Sequence, residues 1–376
     1  MRFLHTSDWH LGKTLCNANL LDDQAHALDQ VALMVRETGA EALVIAGDIY
    51  DRAVPPKEAV ALLDQTLDRI VRGLGVHVLL IAGNHDSPER LGFASGFLGP
   101  QNLHVAGLSD AEPHPVLIGS TAFHLLPYGD PAAVRYALGE DGVRTHQDAL
   151  AAQLRRARSR HPEGCRFVAV AHAFVAGGES SDSELGLTIG GTGEVDAALF
   201  DGCDYAALGH LHRPQEAGYA HVRYAGSLLK YSASEAAHVK AVTLVELPEK
   251  GTARTEPLPL TPRRDLRRLR GRFEDLMRGP HGNPEDYLFL DLLDDGPVLD
   301  AMARLRQVYP NILGIQPAPP VPAAGGEVPD ISQRELDPGL LFRSFFHEIQ
   351  GRDMDEEEAA VFREIAGRAF TAEDRP

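Results

Sequence analysis

Five short polar words, each closing an apolar run, constrain the fold of this chain more than anything else in it. They are Asp8-Trp9-His10 after MRFLHTS, Gly47-Asp48 after EALVIA, Gly83-Asn84-His85-Asp86 after VHVLLIA, His172 after RFVAVA, and Gly209-His210-Leu211-His212 after YAAL. Short runs rich in Val, Leu, Ile and Ala, cut off by Gly, Asp, Asn or His, read as buried strands. Chemistry is then expected at strand ends. Helical patterns lie between the early strands, over 22–37 and over 56–72, where Ala59, Leu62, Leu63, Leu67 and Ile70 recur at helical spacing. A β-α-β-α-β start implies parallel pairing, since short hairpins join only antiparallel strands. From about 115 to 245 strands predominate, interrupted by helical stretches at 145–160 and 194–200. The expected class is α/β: a mixed sheet or two-sheet sandwich flanked by helices.

The chain has 376 residues, more than the roughly 150 of an average domain. Its pattern breaks at Pro257, Pro259 and Pro262, so residues 1–262 are expected to form the first domain. Residues 263–318 read as a small α+β unit: an amphipathic helix over 264–278 carrying Leu266, Leu269, Phe273, Leu276 and Met277, then strand-like YLFLDLLD, helical VLDAMARLRQVYP and strand-like NILGIQP. Residues 319–337, rich in Pro, Gly and Ala at their start, read as a linker. Residues 338–376 hold two expected helices, 338–350 and 355–369. Their apolar content, including Leu340, Leu341, Phe342, Phe345, Phe346 and Ile349, suits a segment that docks on a partner. No run reaches the roughly 18 apolar residues of a membrane span, and MRFLHTSDWH lacks the apolar core of a signal peptide. A cytoplasmic protein is expected. Cys16, Cys165 and Cys203 form no CxxC pattern and read as reduced thiols. The formal net charge of −18 alone counts against nucleic acid. Bound cations and a basic partner can offset it, so the sign does not settle the substrate.

In an extended segment residues i and i+2 project to the same side, so Asp8 with His10, and His210 with His212, are expected to point as pairs into one pocket. Asp48, Asn84 and His172 complete seven candidate ligands. That number serves two cations if Asp48 bridges them with its two oxygens. Carboxylate, amide and imidazole donors without thiolate suit Mn²⁺, Fe²⁺ or Zn²⁺. Ions about 3.5–4 Å apart clamp the attacking and leaving oxygens of an in-line phosphoryl displacement and acidify a water, so phosphoester hydrolysis is the expected reaction. His85, directly after a ligand, is the candidate to protonate the departing oxygen or stabilise the charged phosphorane. Asp51 could hold that ring in one tautomer, and Arg52 could fork onto a non-bridging phosphate oxygen. One such word alone is weak, because a single histidine at a strand end is usually a satisfied core residue. Trp9 reads as core packing; Lys13, Ser227 and Tyr231 are minor candidates for phosphate contact; His26, His104 and His281 read as surface or core.

The order D-x-H, G-D, G-N-H, H, G-H-x-H resembles the calcineurin-like metallophosphoesterases. Within that superfamily, MRFLHTSDWHLGK, AGDIYDRAVPP, IAGNHDSPERLGF, AHAFVAGGESSDSE, LGHLHRPQ and YAGSLLKYSASE resemble the nuclease subunits of the bacterial SbcCD family over residues 1–236. The resemblance implies a two-sheet sandwich followed by a capping domain at 263–318. It places Asp8, His10, Asp48 and His212 around one metal, and Asp48, Asn84, His172 and His210 around the other, with His85 as catalytic histidine. It further implies Mn²⁺ dependence, 3′ to 5′ exonuclease action on duplex DNA ends, endonuclease action on single strands and hairpins, and a role in DNA repair and recombination at the nucleoid. Its implied partners are a second copy, through helices near 56–72 and 88–98, and the ATPase SbcC, through 338–369. The alternative enzyme is a phosphatase or small-molecule phosphodiesterase on the same scaffold. A non-catalytic scaffold is the reading from another class, and the full ligand set weighs against it. The run Arg263, Arg264, Arg267, Arg268, Arg270 and Arg272 is either a solvated helix face or a contact for DNA phosphates.

Overall fold

The structure, a computed structural model, describes residues 1–187, 193–294 and 296–317, with 342, 343, 346, 352–355, 358, 359, 361 and 362 beyond them. Phe3 and Leu4 are both fully buried on one strand and belong to different apolar clusters. Successive strand residues point to opposite faces, so this strand is covered on both sides, which is why its sequence is a continuous apolar run and not an alternation.

Two six-stranded sheets follow from that rule. The first runs Arg254–Pro259, Ala241–Glu246, Arg2–Thr6, Ala42–Ile45, His77–Ile81, Leu103–Ala106 in spatial order. Its last four strands are parallel, and the first two are added antiparallel. The second runs Gln215–Ala217, Tyr219–Tyr224, Tyr205–Gly209, Arg166–His172, Thr121–Leu126, Val116–Ile118, with four parallel strands in the middle. Phe3, Val44 and Leu79 of one sheet meet Phe123, Val168 and Tyr205 of the other in the central layer. Phe3 packs edge-on against both Phe123 and Tyr205, at 5.3 and 5.7 Å, a favoured aromatic arrangement.

Helices cover the outer faces. Leu21–Thr38 presents Ala27, Leu28, Val31 and Val35 to the first sheet, starts with Asp22 and Asp23 in its first turn and ends at Gly39 with φ 62°. On the second sheet lies His146–Ser159, opened by a reciprocal cap in which Thr145 and Asp148 each accept the other's backbone N–H. The expected helix over 56–72 is Lys57–Leu67 with a wider turn Asp68–Gly73, and 88–98 holds two short helices, Pro88–Leu91 and Ser95–Leu98. At 194–200 there is a two-residue strand and a short 3-10 turn. The two-sheet sandwich flanked by helices is the architecture expected.

Residues 263–317 depart from expectation at one point. Leu266–Gly271 is a strand, parallel to Tyr287–Leu292, which is parallel in turn to Ile312–Pro317; of the expected helix over 264–278 Phe273–Met277 is helical, and Ala301–Leu305 is a short helix within the stretch expected to be one. Pairing overrides helical spacing here because the strand buries Leu266 and brings Arg267 and Arg268 to Asp286 and Asp291 at 2.6 and 2.7 Å. The small unit has its own core of Phe273, Leu276, Leu288, Leu290, Leu305 and Tyr309. Leu266 and Tyr287 join the core of the first sheet, and Met1–Ala318 forms one compact unit, Pro319–Pro376 another. The expected linker and most of the two expected terminal helices lie outside the described residues. In the second unit Phe342 stacks on Phe362, ring centroids 4.1 Å apart. Among the described residues no helix is long and apolar enough to cross a membrane.

Candidate metal centre

Parallel register brings the five polar words to one edge. Thr6 sits beside Ile45, Ile45 beside Leu80, and His172 beside Gly209, so the strands of each sheet end together. The two i, i+2 pairs do not sit in extended backbone, contrary to expectation, whereas His172 closes its strand. The strands stop at Thr6 and Gly209, and Asp8, His10, Asp48 and His210 have φ of 51°, 45°, 50° and 112°. Alternation would leave such a pair parallel and about 6.6 Å apart, whereas left-handed turns let their donor atoms converge. That conformation costs roughly 1–3 kcal/mol per non-glycine residue and persists only where surroundings hold it.

The hold is visible. Asp8 and His10 donate their backbone N–H to Gly47 and Asp48 carbonyls at 3.0 and 2.9 Å. Asp86, buried, accepts from the N–H groups of Ile49, Tyr50 and Gly83 at 3.1, 2.9 and 2.9 Å, fastening two ligand loops to each other. Burial pushes its carboxyl up to about 7, with Asp48 adding to the effect. Gly83 must be glycine, since a Cβ there would stand 2.1 Å from Asp48 Oδ1. Gly47 combines φ +91° with a would-be Cβ 2.3 Å from His172 Nδ1.

All seven expected ligands converge. His10 Nε2 lies 3.1 Å from His212 Nε2, and Asn84 Oδ1 lies 3.0 Å from His172 Nε2 and 3.3 Å from His210 Nδ1. Asp48 stands between the two groups, but with one oxygen: Oδ2 is 3.6 Å from both His10 Nε2 and His172 Nε2, while Oδ1 accepts the His85 N–H at 2.9 Å. Asp8 and Asp48 are buried together, and Asp8, His10 and His212 are close enough to share one ion, as are Asp8, Asp48 and His172. Two donors each about 2.1 Å from a cation at tetrahedral or octahedral angles stand about 3.0–3.4 Å apart, which the closest of these spacings match. Burial pushes the Asp8 carboxyl well up, Asp48 adding to it, and pushes His10, His172 and His210 down and His212 down to about 4. Neutral imidazoles with lone pairs facing carboxylate oxygens fit divalent cations.

His85 is the one polar ring of the set that reaches outward, its side chain 35% exposed and its Nε2 4.0 Å from Asp48 Oδ2. Its expected partner is placed differently. His85 Nδ1 donates to the backbone carbonyl of Asp51 at 3.0 Å, not to the carboxylate, which instead takes Lys13 Nζ at 2.7 Å and faces His10 Nδ1 at 3.6 Å. The Asp51 carboxyl is held down to about 2: burial opposes this, but His10 and Lys13 outweigh it. Arg52 is exposed and makes no hydrogen bond or ion pair among the described residues. Trp9 is fully buried in the core. Ser227 and Tyr231, minor candidates for phosphate, are buried and occupied, Tyr231 donating to the Trp9 carbonyl at 2.6 Å.

Sequence reasoning missed the groups behind the ligands. Glu184 Oε1 accepts the His212 N–H at 2.5 Å, and Ser183 and Glu235 face its Nδ1. Gln24 Nε2 binds the His10 carbonyl at 2.7 Å. Two of them had a signal, since Glu184 and Glu235 close the words AHAFVAGGESSDSE and YAGSLLKYSASE.

The family model for calcineurin-like phosphoesterases matches residues 1–214, and that for the type 5 capsule protein repressor C-terminal domain matches residues 262–350. The chain is 33% identical over 97% of its length to the D subunit of the nuclease SbcCD of Staphylococcus saprophyticus, 97% of which is covered. Two solved structures are more distant. The TT1561 protein of Thermus thermophilus is 14% identical, with 68% of this chain and 98% of that one covered at a TM-score of 0.38. The Yfce phosphoesterase from E. coli is 15% identical, with 65% and 88% covered at 0.28. On the family matches and the full-length relationship, the chain belongs to the calcineurin-like phosphoesterases, in the family of the SbcCD nuclease subunits.

Proposed function

We propose that the chain is a Mn²⁺-dependent DNA nuclease subunit, hydrolysing phosphodiester bonds at double-strand ends as a 3′ to 5′ exonuclease and in single strands and hairpins as an endonuclease. The observation that carries this reading is the 33% identity to a nuclease subunit over nearly the whole of both chains, which takes in the small unit after residue 262 as well as the metal centre.

In this reading Asp8, His10, Asp48 and His212 hold one divalent ion, and Asp48, Asn84, His172 and His210 the other. Bound there, the ions supply an acidified water and neutralise charge on the phosphoryl oxygens. His85 gives its Nδ1 proton to a fixed carbonyl, so its Nε2 is aimed at the accessible side of the centre, where it holds or delivers a proton at the departing oxygen. Asp51 contributes its carbonyl to that orientation. Exposed Arg52 is free to meet a non-bridging phosphate oxygen.

Residues 263–318 act as the cap that limits access, and 338–376 as the segment that docks on the ATPase SbcC. A second copy joins through 56–72 and 88–98, a reading supported by the exposure of Val60, Phe93 and Phe97 at 45%, 80% and 82%.

The test is a Mn²⁺ nuclease assay on end-labelled hairpin and blunt duplexes, alone and with SbcC and ATP, comparing wild type with His85→Leu and using a generic phosphatase ester as control. Metal-dependent cleavage of DNA that the variant lacks is expected. Turnover of the small ester with no attack on either DNA would replace the nuclease by a phosphatase.

A further inference from the structure

The two ion positions are backed differently. Behind His10 and His212, whose Nε2 atoms face each other, stands in each case a carboxylate joined to a lysine. His10 Nδ1 faces Asp51 Oδ1 at 3.6 Å, and Asp51 takes Lys13 Nζ at 2.7 Å. His212 Nδ1 lies 2.8 Å from Ser183 Oγ and 3.4 Å from Glu235 Oε1, and Glu235 takes Lys240 Nζ at 2.5 Å. His172, at the other position, gives Nδ1–H to nothing more than the Ala46 carbonyl, at 2.8 Å.

The His212 chain has a direction. Ser183 donates its hydroxyl to Glu235 at 2.7 Å, so its lone pair is left to accept from His212 Nδ1–H. That fixes the proton on Nδ1 and the lone pair on Nε2, toward the centre. Lys240 also donates to the His212 carbonyl at 2.7 Å, tying the pair to the backbone of the ligand it serves. Glu235 is fully buried and Lys240 5% exposed; a buried carboxylate persists there because the ammonium compensates it. A carboxylate behind a ligating imidazole raises its donor strength and fixes its orientation, and such partners are worth about 10–100-fold in metal affinity.

We propose that the Asp51–Lys13 and Glu235–Lys240 pairs are positioning pairs that make the ion position of His10 and His212 the tighter of the two. This rests on the two-ion reading above. The experiment is a calorimetric Mn²⁺ titration of the chelator-treated full-length chain, with long-range ¹H–¹⁵N spectra of its imidazoles. Wild type should bind in two steps, with His212 as the Nδ1–H tautomer. Glu235→Gln should weaken the tighter step by about 10–100-fold, leave the looser step in place and mix the His212 tautomers. Asp51→Asn should weaken the same step by less, its contact being longer.

Ser183→Ala and Asp51→Asn, both at less buried positions, carry the test if Glu235→Gln does not fold. Two bound ions with both steps unchanged in the variants, or both weakened by one factor, would overturn this assignment and leave the two-ion reading standing. A folded wild-type chain that takes up no Mn²⁺ would overturn both.

Discussion

Around Asp48, carboxylates and imidazoles turn their lone pairs toward one another, with His10 and His212 nitrogens 3.1 Å apart. Along Leu266–Gly271, far down the chain, Arg267 and Arg268 each pair with an acid of their own, and the preceding Arg263 and Arg264 face Asp22 and Asp23 at 3.1 and 3.5 Å. Both regions are dense in charge. One is closed by its own partners, and the other gathers acceptor groups in an arrangement that suits a cation. The difference teaches that charge density alone does not mark a functional site; unbalanced donors and acceptors do. At four of the six positions of the arginine run the guanidinium has an intramolecular acid as partner, on a strand and the segment before it and not on a helix face.

Breaking the centre should have the largest effect. Asp48→Ala removes the one oxygen that faces both halves and is expected to lower Mn²⁺-dependent DNA cleavage by about a thousandfold or more, measured on end-labelled duplex. His85→Leu should cost about 10²–10⁴-fold in turnover while Mn²⁺ stoichiometry by calorimetry stays at the wild-type value, because His85 reaches outward and the seven ligands do not depend on its ring.

The same operation on the small sheet should act on stability instead. Arg268→Ala leaves Asp291 without its two-point partner and is expected to cost about 1–3 kcal/mol, read as a lowered Tm, with cleavage unchanged within a few-fold. A salt slope of DNA binding that falls by about one for each arginine removed would instead place this strand on phosphate.

Acidification should separate the two regions by the order in which they fail. In the metal-free chain His212 has a folded pKa of about 4 against 6.5 unfolded, so the unfolded chain binds more protons between those values. The stability it contributes is full above about pH 6.5 and is lost as pH falls toward 4. The Arg268–Asp291 pair holds Asp291 below its ordinary value, against burial, so its contribution persists through that window and is lost only below the carboxylate range. Asp8 and Asp86, pushed up by burial, gain protons in the folded chain and oppose this, but four buried imidazoles held down stand against those two carboxyls, so amide exchange across pH 7 to 3 should show the ligand loops opening first. Simultaneous opening would erase the distinction.

Much of this was legible in the chain. Strands covered on both faces must be apolar throughout, so each run announced a buried strand and its abrupt end announced the loop that carries a ligand. The seven candidate ligands that converge, and His85 beside them, could be named from five words for that reason. The partners of the ligands could not. Asp51 stands close to His85 in sequence logic, yet its carboxylate turned to Lys13 and His10 and left only its carbonyl for His85. Likewise, Leu266, Leu269 and Phe273 fit a helical face, but a parallel strand and two aspartates claimed the first part of it.

What the amino-acid order determined by itself was therefore which residues are donors, which segments are strands, and that the donors gather at one edge. Tertiary structure alone decided the left-handed turns that aim Asp8, His10, Asp48 and His210, the carboxylates behind His10 and His212, and the acids that pair with four of the arginines. The physical reason is distance along the chain: Asp8 is oriented by the backbone N–H of His210, 202 residues away. Polarity and periodicity are local quantities that a sequence carries openly, whereas hydrogen-bond direction and charge pairing exist only once remote segments have met.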